Sequence, residues 1–413
     1  MRILHVNKFL YRRGGAEAYM EDLADLQIGA GHTVSFFGMA HPLNTHLEYA
    51  SHYPDHIELE PPPPSLRERV RGAARMLYST SASRGMDAVL AAFQPDVVHL
   101  HNIYHQLSPS VLRPVARRLV PAVMTLHDYK LACPTYKFLD HGNLCQACLG
   151  GHFQNAILRR CKDGSLSSSA VMAGELFVHT ITRAYSPVQI FICPSRFLAG
   201  RMQAAGVFPR RLRHVPHFID TAGVPVKTSP GGNVLVAGRL SEEKGVDTAI
   251  RAIGRLDGAV LDIAGTGPEE GSLRNLANSV APGRVRFHGL VDKEEMQRLM
   301  LAAAVVVVPS RWYENQPMVV LEALARGVPV VGSALGGMPE LIEPGATGDL
   351  VPANDHEALA SALAGYVADP ERAFAMRERA RATIVNGFSP ERHLERIDAM
   401  YAEASSLLRR RAA

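Results

Sequence analysis

The chain has 413 residues, a net charge of +4, a hydrophobic content of 47% and five cysteines. This length indicates two or three domains at roughly 150 residues each, and the composition is that of a globular protein with a sizeable core. The small charge and the lack of a recognisable nucleic-acid-binding motif argue against DNA or RNA as a partner.

The first half of the chain alternates short apolar strands with helices, a pattern typical of a doubly wound parallel sheet. Strands are predicted at residues 2–6, 33–37, 95–101, 122–127 and 189–193. The glycine pair Gly14–Gly15 separates the first strand from a helix at residues 16–24. It either lets the backbone approach a ligand closely or makes a plain tight turn.

Polar residues gather at the ends of two neighbouring strands in this half. They are His99, His101, His105, His127 and Asp128. A single histidine is more often structural, but the carboxyl ends of parallel strands meet at one edge of a sheet, where ligands bind. The grouping therefore favours a functional role for His127.

Residues 65–78 predict an amphipathic helix in which Arg67, Arg71 and Arg75 recur on one face. Such a helix lies on an anionic membrane, holds an anionic acceptor, or packs on the surface of a domain. No leader of the secretory type opens the sequence, and no apolar stretch reaches the roughly 18 residues needed to cross a bilayer. The expected location is therefore the cytoplasm, with the helix as the candidate contact to the inner face of the cell membrane.

Four cysteines, Cys133, Cys145, Cys148 and Cys161, lie in a loop-rich insertion at about residues 133–161. The two-residue gap between Cys145 and Cys148 is the spacing of zinc ligands, and the other two thiols would complete a four-thiolate structural zinc site. A redox-type thiol pair and unpaired packing cysteines are the alternatives. Stable disulfides are not expected in the cytoplasm.

A stretch with the composition of a linker, residues 221–232, marks a domain boundary, after which the doubly wound pattern restarts. Strands are predicted at residues 233–237, 260–264, 284–288, 305–308 and 328–331. Gly238, Arg239 and Lys244 follow the first of these strands and suit a diphosphate, because glycine permits close approach and the cations supply charge. Their spacing is not that of a Walker loop, and Glu270 stands where a dinucleotide fingerprint needs glycine.

The strand at residues 305–308 opens a strand–loop–helix–strand unit, with a loop at residues 309–313 and a helix at residues 318–325. Pro317 is predicted as the first helical residue, a position that tolerates a missing N–H. Gly327 is predicted to end the helix.

Two carboxylates stand in this unit, Glu314 in the loop and Glu322 inside the helix. Glu322 either marks the solvent-facing stripe of the helix or accepts hydrogen bonds from the diol of a ligand. Backbone N–H groups near Asn315 and Gln316 would then face an anion such as phosphate.

The motifs, in this order, resemble those of a known family of enzymes. They are Gly14–Gly15–Ala16–Glu17, His127–Asp128, Gly238–Arg239 with Lys244, and Glu314 with Glu322. The set resembles the retaining nucleotide-sugar glycosyltransferases of the GT-B fold, and more narrowly the glycosyltransferase family 4 / group 1 type. That family contains bacterial mannosyl- and glucosyltransferases acting on lipids and polysaccharides. The similarity spans nearly the whole chain and is most specific in its second half.

The resemblance implies an α/β fold with two doubly wound, Rossmann-like domains facing a central cleft. Residues 1–222 would form an acceptor-binding domain that carries the cysteine insertion, and residues 223–390 a donor-binding domain. Residues 391–413 would form a helix that crosses back to the first domain.

The resemblance also implies roles for single residues. Arg239 and Lys244 would hold the donor diphosphate, Glu314 the sugar hydroxyls and Glu322 the ribose, while His127 would touch the transferred sugar. The implied catalytic set is His127, Arg239, Lys244 and Glu314. The implied donor-binding residues are Gly14, Gly15, Gly238, Arg239, Lys244, Gly265, Gly267, Leu290, Val291, Glu314, Asn315, Gln316, Met318 and Glu322. The family has small residues, glycine among them, where Asn315, Gln316, Pro317 and Met318 follow Glu314 here.

The implied activity is transfer of a hexose-type sugar from a UDP- or GDP-sugar to a hydroxyl acceptor that is lipid-linked, a polysaccharide or a small glycoside. No cofactor is expected at the reaction centre, because Arg239, Lys244 and the helix N-terminus neutralise the leaving diphosphate. A sugar-nucleotide epimerase and a non-catalytic sugar-nucleotide-binding protein are the competing interpretations. An epimerase would be expected to carry an acid/base set, and no clear one is found here. A non-catalytic binding protein would not require the full set that is present, which is His127, Arg239, Lys244, Glu314 and Glu322.

Overall fold

Short apolar strands alternate with helices along the chain, as the sequence predicts. The computed structural model describes residues 1–58 and 65–412. The proline run at residues 61–64, where the sequence breaks regular structure, lies outside the described residues. The described residues divide into two compact units. Unit 1 holds Met1–His141, Cys145–Pro216 and the residues from Glu391 onward, and unit 2 holds Gly142–Leu144 and His217–Pro390.

Twelve of the fourteen strands of the described chain build two six-stranded sheets, in which each neighbouring pair is parallel, and β5 and β6 lie outside these two sheets. In chain order the strands are β1 (Arg2–Val6), β2 (Thr33–Phe37), β3 (Val97–Leu100), β4 (Ala122–Thr125), β5 (Leu139–Asp140), β6 (Asn143–Leu144), β7 (Ile190–Cys193), β8 (Leu212–His214), β9 (Asn233–Ala237), β10 (Leu261–Ala264), β11 (Val285–Gly289), β12 (Ala303–Val308), β13 (Val330–Ser333) and β14 (Gly348–Val351). Unit 1 has the order β2-β1-β3-β4-β7-β8, and unit 2 has the order β11-β10-β9-β12-β13-β14. The direction of winding reverses between β1 and β3 and between β9 and β12, which are the positions where open parallel sheets bind ligands.

Helices connect the strands, as parallel pairing requires. In chain order they are α1 (Gly15–Gly29), α2 (Leu66–Leu77), α3 (Thr80–Phe93), α4 (Leu112–Arg117), α5 (Gln154–Leu158), α6 (Leu166–Ile181), α7 (Arg196–Ala204), α8 (Val246–Gly254), α9 (Glu270–Val280), α10 (Lys293–Ala302), α11 (Met318–Ala325), α12 (His356–Ala368), α13 (Pro370–Ala375), α14 (Arg377–Gly387) and α15 (Pro390–Ala412). Across the described ranges, 1–58 and 65–412, no helix is long and apolar enough to cross a membrane.

Alternate residues of β9 and β12 pack on opposite faces of the unit 2 sheet. One face carries Val234, Val236, Val305 and Val307, and the other carries Leu235, Val306 and Val308. A strand covered on both faces needs an apolar residue at every position, which is why β12 reads AAVVVV and is buried throughout.

Two local predictions are wrong in detail. Pro317 is not the first helical residue but the N-cap before it, with φ −70° and ψ 120°, and α11 begins at Met318. The basic face of α2 is also smaller than predicted, because Arg75 is half-buried and donates to the carbonyl oxygens of Gln106 and Asp55 at 2.9 and 2.7 Å. Arg75 turns inward because backbone carbonyl oxygens from other segments accept its hydrogen bonds, and helical periodicity does not reveal such partners.

The C-terminal helix α15 belongs to unit 1. The Tyr401 hydroxyl lies 2.7 Å from His99 Nδ1 of β3, and His393 Nε2 lies 2.9 Å from the Tyr19 hydroxyl of α1. An ion pair joins Arg213 and Glu403. Because these partners are buried or half-buried, the helix is a part of unit 1 rather than a loose tail.

Candidate functional site

A pocket lies at the carboxyl ends of β9 and β12, where the unit 2 sheet changes its direction of winding. Gly238 and Arg239 follow β9, Lys244 ends a 3₁₀ turn before α8, and Glu314 lies in the loop after β12. All four line the pocket, whose apolar wall includes Val307 and Val319 of β12 and α11. The structure therefore brings together four residues that the sequence assigns to one donor site.

An ion pair joins two of these side chains. Lys244 Nζ lies 2.8 Å from Glu314 Oε1, and the Ser310 hydroxyl donates to the same oxygen at 2.6 Å. Burial by itself would raise the pKa of the Glu314 carboxyl, but the charge of Lys244 and the hydrogen bonds from Lys244 and Ser310 hold that pKa below its usual value. The carboxylate is therefore ionised at neutral pH and can accept hydrogen bonds from ligand hydroxyl groups.

The loop after β12 carries residues that the sequence argument did not single out. The Trp312 ring lies 5.2 Å from Lys244 Nζ, a cation–π arrangement, and Arg311 forms an ion pair with Asp247 of α8. The Arg311 N–H donates to the Glu243 carbonyl at 2.8 Å. These contacts fix the loop against the turn that carries Lys244. A lone tryptophan beside Glu314 was the available signal, since the chain has one tryptophan.

Backbone contact explains two of the predicted glycines without any ligand. A Cβ atom at Gly265 would lie 1.9 Å from the Gly238 carbonyl oxygen, and one at Gly267 would lie 2.2 Å from the Leu240 carbonyl oxygen. The Leu240 N–H donates to the Thr266 carbonyl at 2.9 Å. The loops after β9 and β10 therefore pack backbone to backbone, which no larger residue at positions 265 and 267 would permit.

The residues just before α11 lie at the N-terminus of that helix. Asn315 and Gln316 are buried. Gln316 Oε1 accepts from the His217 N–H at 2.6 Å, so that side chain is engaged within unit 2. The predicted anion contact concerns the backbone N–H groups of these residues, and it stays a prediction. Met318 is the first residue of α11 and is half-buried.

Three further predicted donor residues lie on unit 2 with different exposure. Leu290, just after β11, is 85% exposed, whereas Val291 is half-buried and packs on the core. Glu322 is half-buried in α11, and its carbonyl oxygen accepts from Arg326 Nη1 at 2.9 Å. Burial lowers the pKa of Arg326, and the charge of Glu322 opposes that shift.

His127 lies in unit 1, two residues beyond the end of β4. Its Nε2 atom lies 3.1 Å from His101 Nδ1, and the Tyr19 ring packs edge-on against it with centroids 5.6 Å apart. Burial lowers the pKa of His127 to about 3. The imidazole is therefore neutral at physiological pH and offers hydrogen bonding rather than positive charge.

Gly14 and Gly15 form the start of α1 in unit 1. Gly14 is the N-cap, with an extended backbone at φ −165° that any residue adopts, and Gly15 is the first helical residue. A Cβ atom at Gly14 would meet Glu17 Oε2 at 3.5 Å, an ordinary contact. The fold of unit 1 therefore does not itself require glycine at position 14, which leaves close approach of a ligand as the predicted reason.

A buried charge cluster that the sequence argument missed supports the loop after His127. Glu175 Oε2 lies 2.7 Å from Lys130 Nζ and 2.9 Å from His105 Nδ1. Burial opposes ionisation of Glu175, but the two partners hold its pKa far below the usual value. The Lys130 N–H and the Tyr104 hydroxyl both donate to Asp128, whose pKa burial raises to about 6.

The four cysteines of the insertion are free thiols. Cys133 and Cys148 are buried, and Cys145 and Cys161 are half-buried. Burial, together with the other three thiols nearby, raises the pKa of Cys148 to about 12. In the described part of the chain, the metal-ligating atoms that lie within 4.8 Å of one another in a group of three are those of His5, His99 and His101 rather than the cysteines. The four sulfur atoms would therefore have to move closer together to form zinc–sulfur bonds of about 2.3 Å.

Comparison with known proteins identifies the class and then the family. The whole chain is similar to solved structures of the GT-B class: sucrose-phosphate synthase from Thermosynechococcus elongatus (TM-score 0.72, 20% identity, 98% of this chain and 99% of that chain) and Anabaena HepE in complex with UDP-glucose (TM-score 0.68, 18% identity, 98% and 100%). At these identities the likeness shows the fold, which confirms two Rossmann-like, doubly wound units of GT-B type with a C-terminal helix.

The family described as "Glycosyltransferase Family 4" matches residues 13–222, and "Glycosyl transferases group 1" matches residues 227–383. The chain belongs to the family 4 / group 1 glycosyltransferases, as its motifs predict.

Two curated relatives are informative. The lipopolysaccharide core biosynthesis glycosyltransferase LpsE of Rhizobium meliloti (strain 1021) is 34% identical over 48% of this chain and 60% of its own length. The glycogen synthase of Mycobacterium tuberculosis (strain CDC 1551 / Oshkosh) is 30% identical over 72% of this chain and 66% of its own length. The aligned part thus spans less than two thirds of each of these relatives.

We expect the purified protein to carry about one zinc ion per chain, held by Cys133, Cys145, Cys148 and Cys161, because four thiols of one insertion lie near one another. Elemental analysis of the full chain measures the metal. Cys148→Ser should lose it, whereas Cys193→Ala, which removes a buried thiol from β7, should retain it. Absence of metal together with four freely titrating thiols would leave packing or redox roles.

Proposed function

We propose that this protein is a retaining glycosyltransferase that moves a hexose-type sugar from a UDP- or GDP-sugar to a hydroxyl acceptor in cell-envelope or polysaccharide biosynthesis. It works in the cytoplasm and needs no cofactor at the reaction centre. The observation that carries the proposal is the pocket of unit 2, where Arg239 and Lys244 stand beside the ionised Glu314.

The chemistry of nucleotide-sugar transfer suits these three side chains. The bond between the anomeric carbon and the diphosphate oxygen breaks, and a bond to the acceptor oxygen forms on the same face of the sugar. The proton of the acceptor hydroxyl goes to the departing diphosphate. Arg239 and Lys244 offset the charge that grows on the diphosphate, while Glu314 accepts hydrogen bonds from the sugar hydroxyls.

Two similar proteins support the proposal of a nucleotide-sugar glycosyltransferase. LpsE is named for lipopolysaccharide core biosynthesis, and HepE has been solved with UDP-glucose bound. By this analogy, the pocket of unit 2 binds a nucleoside diphosphate sugar, with Glu322 on the ribose. His127 hydrogen-bonds the transferred sugar.

We expect Arg239→Ala to lower sugar transfer by about two to three orders of magnitude, because one electrostatic donor to the leaving group is commonly worth that much. Release of nucleoside diphosphate from a panel of UDP- and GDP-sugars measures the turnover. Arg255→Ala removes an exposed arginine of unit 2 paired with Glu357, so it should leave turnover unchanged.

A test of Lys244 requires a variant in which Glu314 is changed as well. Loss of Lys244 alone leaves the buried Glu314 without its cation and destabilises the fold. Lys244→Met combined with Glu314→Gln removes both charges and should keep the melting temperature near that of the native protein while turnover falls at least a hundredfold. Native turnover in these variants would show that the pocket of unit 2 takes no part in sugar transfer. Interconversion of the sugars instead of nucleotide release would indicate an epimerase, and binding without either would indicate a non-catalytic protein.

Glu322→Gln should weaken binding of both the donor and the free nucleoside diphosphate, since both carry the ribose. A hydrogen bond to a charged group is worth about 1.5–3 kcal/mol, so the dissociation constant should rise by roughly ten- to a hundredfold. Glu314→Gln should weaken binding of the donor alone, because its partner is the sugar and because Lys244 becomes available to the diphosphate. Calorimetric titration of both variants with both ligands tests the contrast. Unchanged affinities for Glu322→Gln would place that carboxylate on the solvent stripe of α11.

An exposed face of unit 1 supports a lipid-linked acceptor and a peripheral membrane contact. It is formed by α2 and α6, which meet where His179 Nε2 lies 3.2 Å from the Leu77 carbonyl oxygen. Apolar side chains are exposed here, with Val70 and Ile181 at 61% and Phe177 at 53%. The exposed arginines Arg67 and Arg71 of α2 lie one helical turn apart and share one side of that helix. Exposed apolar groups flanked by cations fit the surface of an anionic bilayer.

We expect the full chain to cosediment with vesicles containing phosphatidylglycerol and not with vesicles of phosphatidylcholine alone. Arg67→Glu combined with Arg71→Glu should weaken the binding at least about tenfold, since each cation near an anionic surface contributes about 1 kcal/mol. Arg255→Glu, an equal charge change on unit 2, is the matched control. Equal binding by the double variant and the native chain would show that α2 does not face the membrane.

A further inference from the structure

A half-buried carboxylate, that of Asp128, lies at the carboxyl edge of the unit 1 sheet. Asp128 lies just beyond β4, next to His127, while Tyr104 and Lys8 follow the neighbouring strands β3 and β1. The winding of this sheet reverses between β1 and β3, and open parallel sheets bind ligands at such a position. Asp128 therefore lies at the edge where the fold of unit 1 favours a ligand.

Two protein groups hold this carboxylate by hydrogen bonds. The backbone N–H of Lys130 donates to Asp128 Oδ1 at 2.9 Å, and the Tyr104 hydroxyl donates to Asp128 Oδ2. The same hydroxyl has a second contact, 3.2 Å to Asn102 Oδ1. In the described part of the chain these are the two donors to Asp128. Because each carboxylate oxygen accepts about two hydrogen bonds, each oxygen has room for a further donor.

Buried charges fix the two loops that carry these donors. Lys130 Nζ lies 2.7 Å from Glu175 Oε2 and donates to the Pro134 carbonyl oxygen at 2.9 Å. His105 Nδ1 lies 2.9 Å from the same oxygen of Glu175. His105 follows Tyr104 in the chain, so Glu175 joins the loops after β3 and β4 to α6. Since Glu175 and Lys130 are 1% and 2% exposed, separating the loops would separate buried charges, which is costly.

The titratable groups near Asp128 come from the loops after β1, β3 and β4, from α6 and from the segment that follows α6. Besides Tyr104, they are Lys8, His105, His127, Lys130, Glu175 and Tyr185.

These groups leave the surroundings of Asp128 without net charge. Burial lowers the pKa of His105 to about 4 and that of His127 to about 3, so both imidazoles are neutral at physiological pH. The cations Lys8 and Lys130 then match the anions Asp128 and Glu175 in number. A neutral site with an exposed carboxylate edge suits a neutral ligand rich in hydroxyl groups better than it suits a phosphate.

We propose that Asp128 binds a sugar acceptor, by accepting hydrogen bonds from hydroxyl groups of that acceptor that do not react. The inference rests on the proposed function, in which the proton of the reacting hydroxyl goes to the diphosphate. Adjacent hydroxyl groups of a pyranose ring can donate to both oxygens of one carboxylate, whereas a simple alcohol offers only the group that reacts. The acceptor is therefore a glycoside. Tyr104 and Lys130 are positioning residues, because they act on the acceptor through Asp128.

The ionisation of Asp128 makes this contact depend on pH. Burial raises the pKa of Asp128 to about 6, while the backbone N–H of Lys130 and the charges of Lys8 and Lys130 oppose that shift. Above this pKa the carboxylate is charged and accepts strong hydrogen bonds. Below it the carboxyl group is protonated and those bonds weaken. Binding of the acceptor should therefore weaken as the pH falls through about 6.

Transfer assays with simple glycosides test the proposal. The donors are UDP-glucose and GDP-mannose, and the acceptors are the methyl α-pyranosides of glucose, galactose and mannose. We expect the native chain to transfer sugar to at least one of them. The KM for that pyranoside should rise about tenfold between about pH 7.5 and pH 5, because a carboxyl group with a pKa of about 6 is only about one-tenth ionised at the lower pH.

Asp128→Asn removes the charge and keeps the shape of the side chain. At about pH 7.5 we expect the KM for the pyranoside to rise by roughly ten- to a hundredfold and its pH dependence to disappear, while the KM for the donor stays native. Asp87→Asn is the matched control, because it changes a half-buried carboxylate of α3 that pairs with Arg117 and Arg118. This control should behave as the native chain does.

Tyr104→Phe tests the positioning role. The hydroxyl that it removes stabilises the ionised form of Asp128, so the midpoint of the pH profile should move to higher pH while the profile itself persists. Tyr53→Phe removes a buried hydroxyl that donates to the Phe36 carbonyl at 3.0 Å, and it should leave the midpoint unchanged. An unmoved midpoint in Tyr104→Phe would overturn the positioning role of Tyr104.

The outcomes separate the role of Asp128 from the proposed function. Sugar transfer by Asp128→Asn with native acceptor KM and native pH profile, or with a raised donor KM instead, would overturn the acceptor contact and leave the transferase activity intact. Nucleotide release by the native chain without transfer to any pyranoside would overturn the sugar-acceptor class. Pyranoside binding in saturation-transfer NMR that Asp128→Asn weakens, in a protein that releases no nucleotide, would support the carbohydrate site and contradict the proposed function.

Discussion

The parallel alignment of strands is the constraint on which both candidate sites depend. Because neighbouring strands run in one direction, their carboxyl ends lie along a single edge of each sheet, and the loops that leave this edge diverge where the winding reverses. In unit 2 this reversal separates the loops after β9 and β12, and the pocket with Arg239 and Glu314 lies there. In unit 1 the same geometry sets His101 and His127 side by side at the ends of adjacent strands. Both sites therefore follow from the doubly wound parallel sheet that each unit contains.

The two units hold their polar groups by different means. Unit 2 uses full charges, and the buried Glu314 is stabilised by the cation of Lys244 and by hydrogen bonds. Such a pair is ready to exchange partners when an anionic ligand offers Lys244 a better one. Unit 1 uses hydrogen bonds between side chains beneath His127, which lead through His101 and His5 to Gln27. A buried, fully hydrogen-bonded network of this kind is rigid, because each broken bond leaves an unsatisfied group in the interior.

Features whose whole signal lies in one stretch of chain can be predicted from the sequence. Runs such as VVVV in β12 predict buried strands, and glycine with arginine directly after β9 predicts an anion site. Contacts with backbone from elsewhere in the chain do not show in such a stretch. Arg75 turns inward to the carbonyl oxygens of Gln106 and Asp55, and Gln316 is engaged by the His217 backbone. The backbone of the adjoining loop requires glycine at positions 265 and 267, independently of any ligand.

Local pattern determined the strands, the helices and each separate motif, because each of these depends on residues that lie close together along the chain. Only the tertiary structure decided which of the many polar residues work together. His5, His99 and His101 come from separate strands and become neighbours through the register that pairs His5 with His99. Tyr401 and His393 reach them from the other end of the chain. A hydrogen bond exists within about 3 Å and depends on direction, so nothing in the order of the residues reveals it until the parallel sheet and the returning helix bring the partners together.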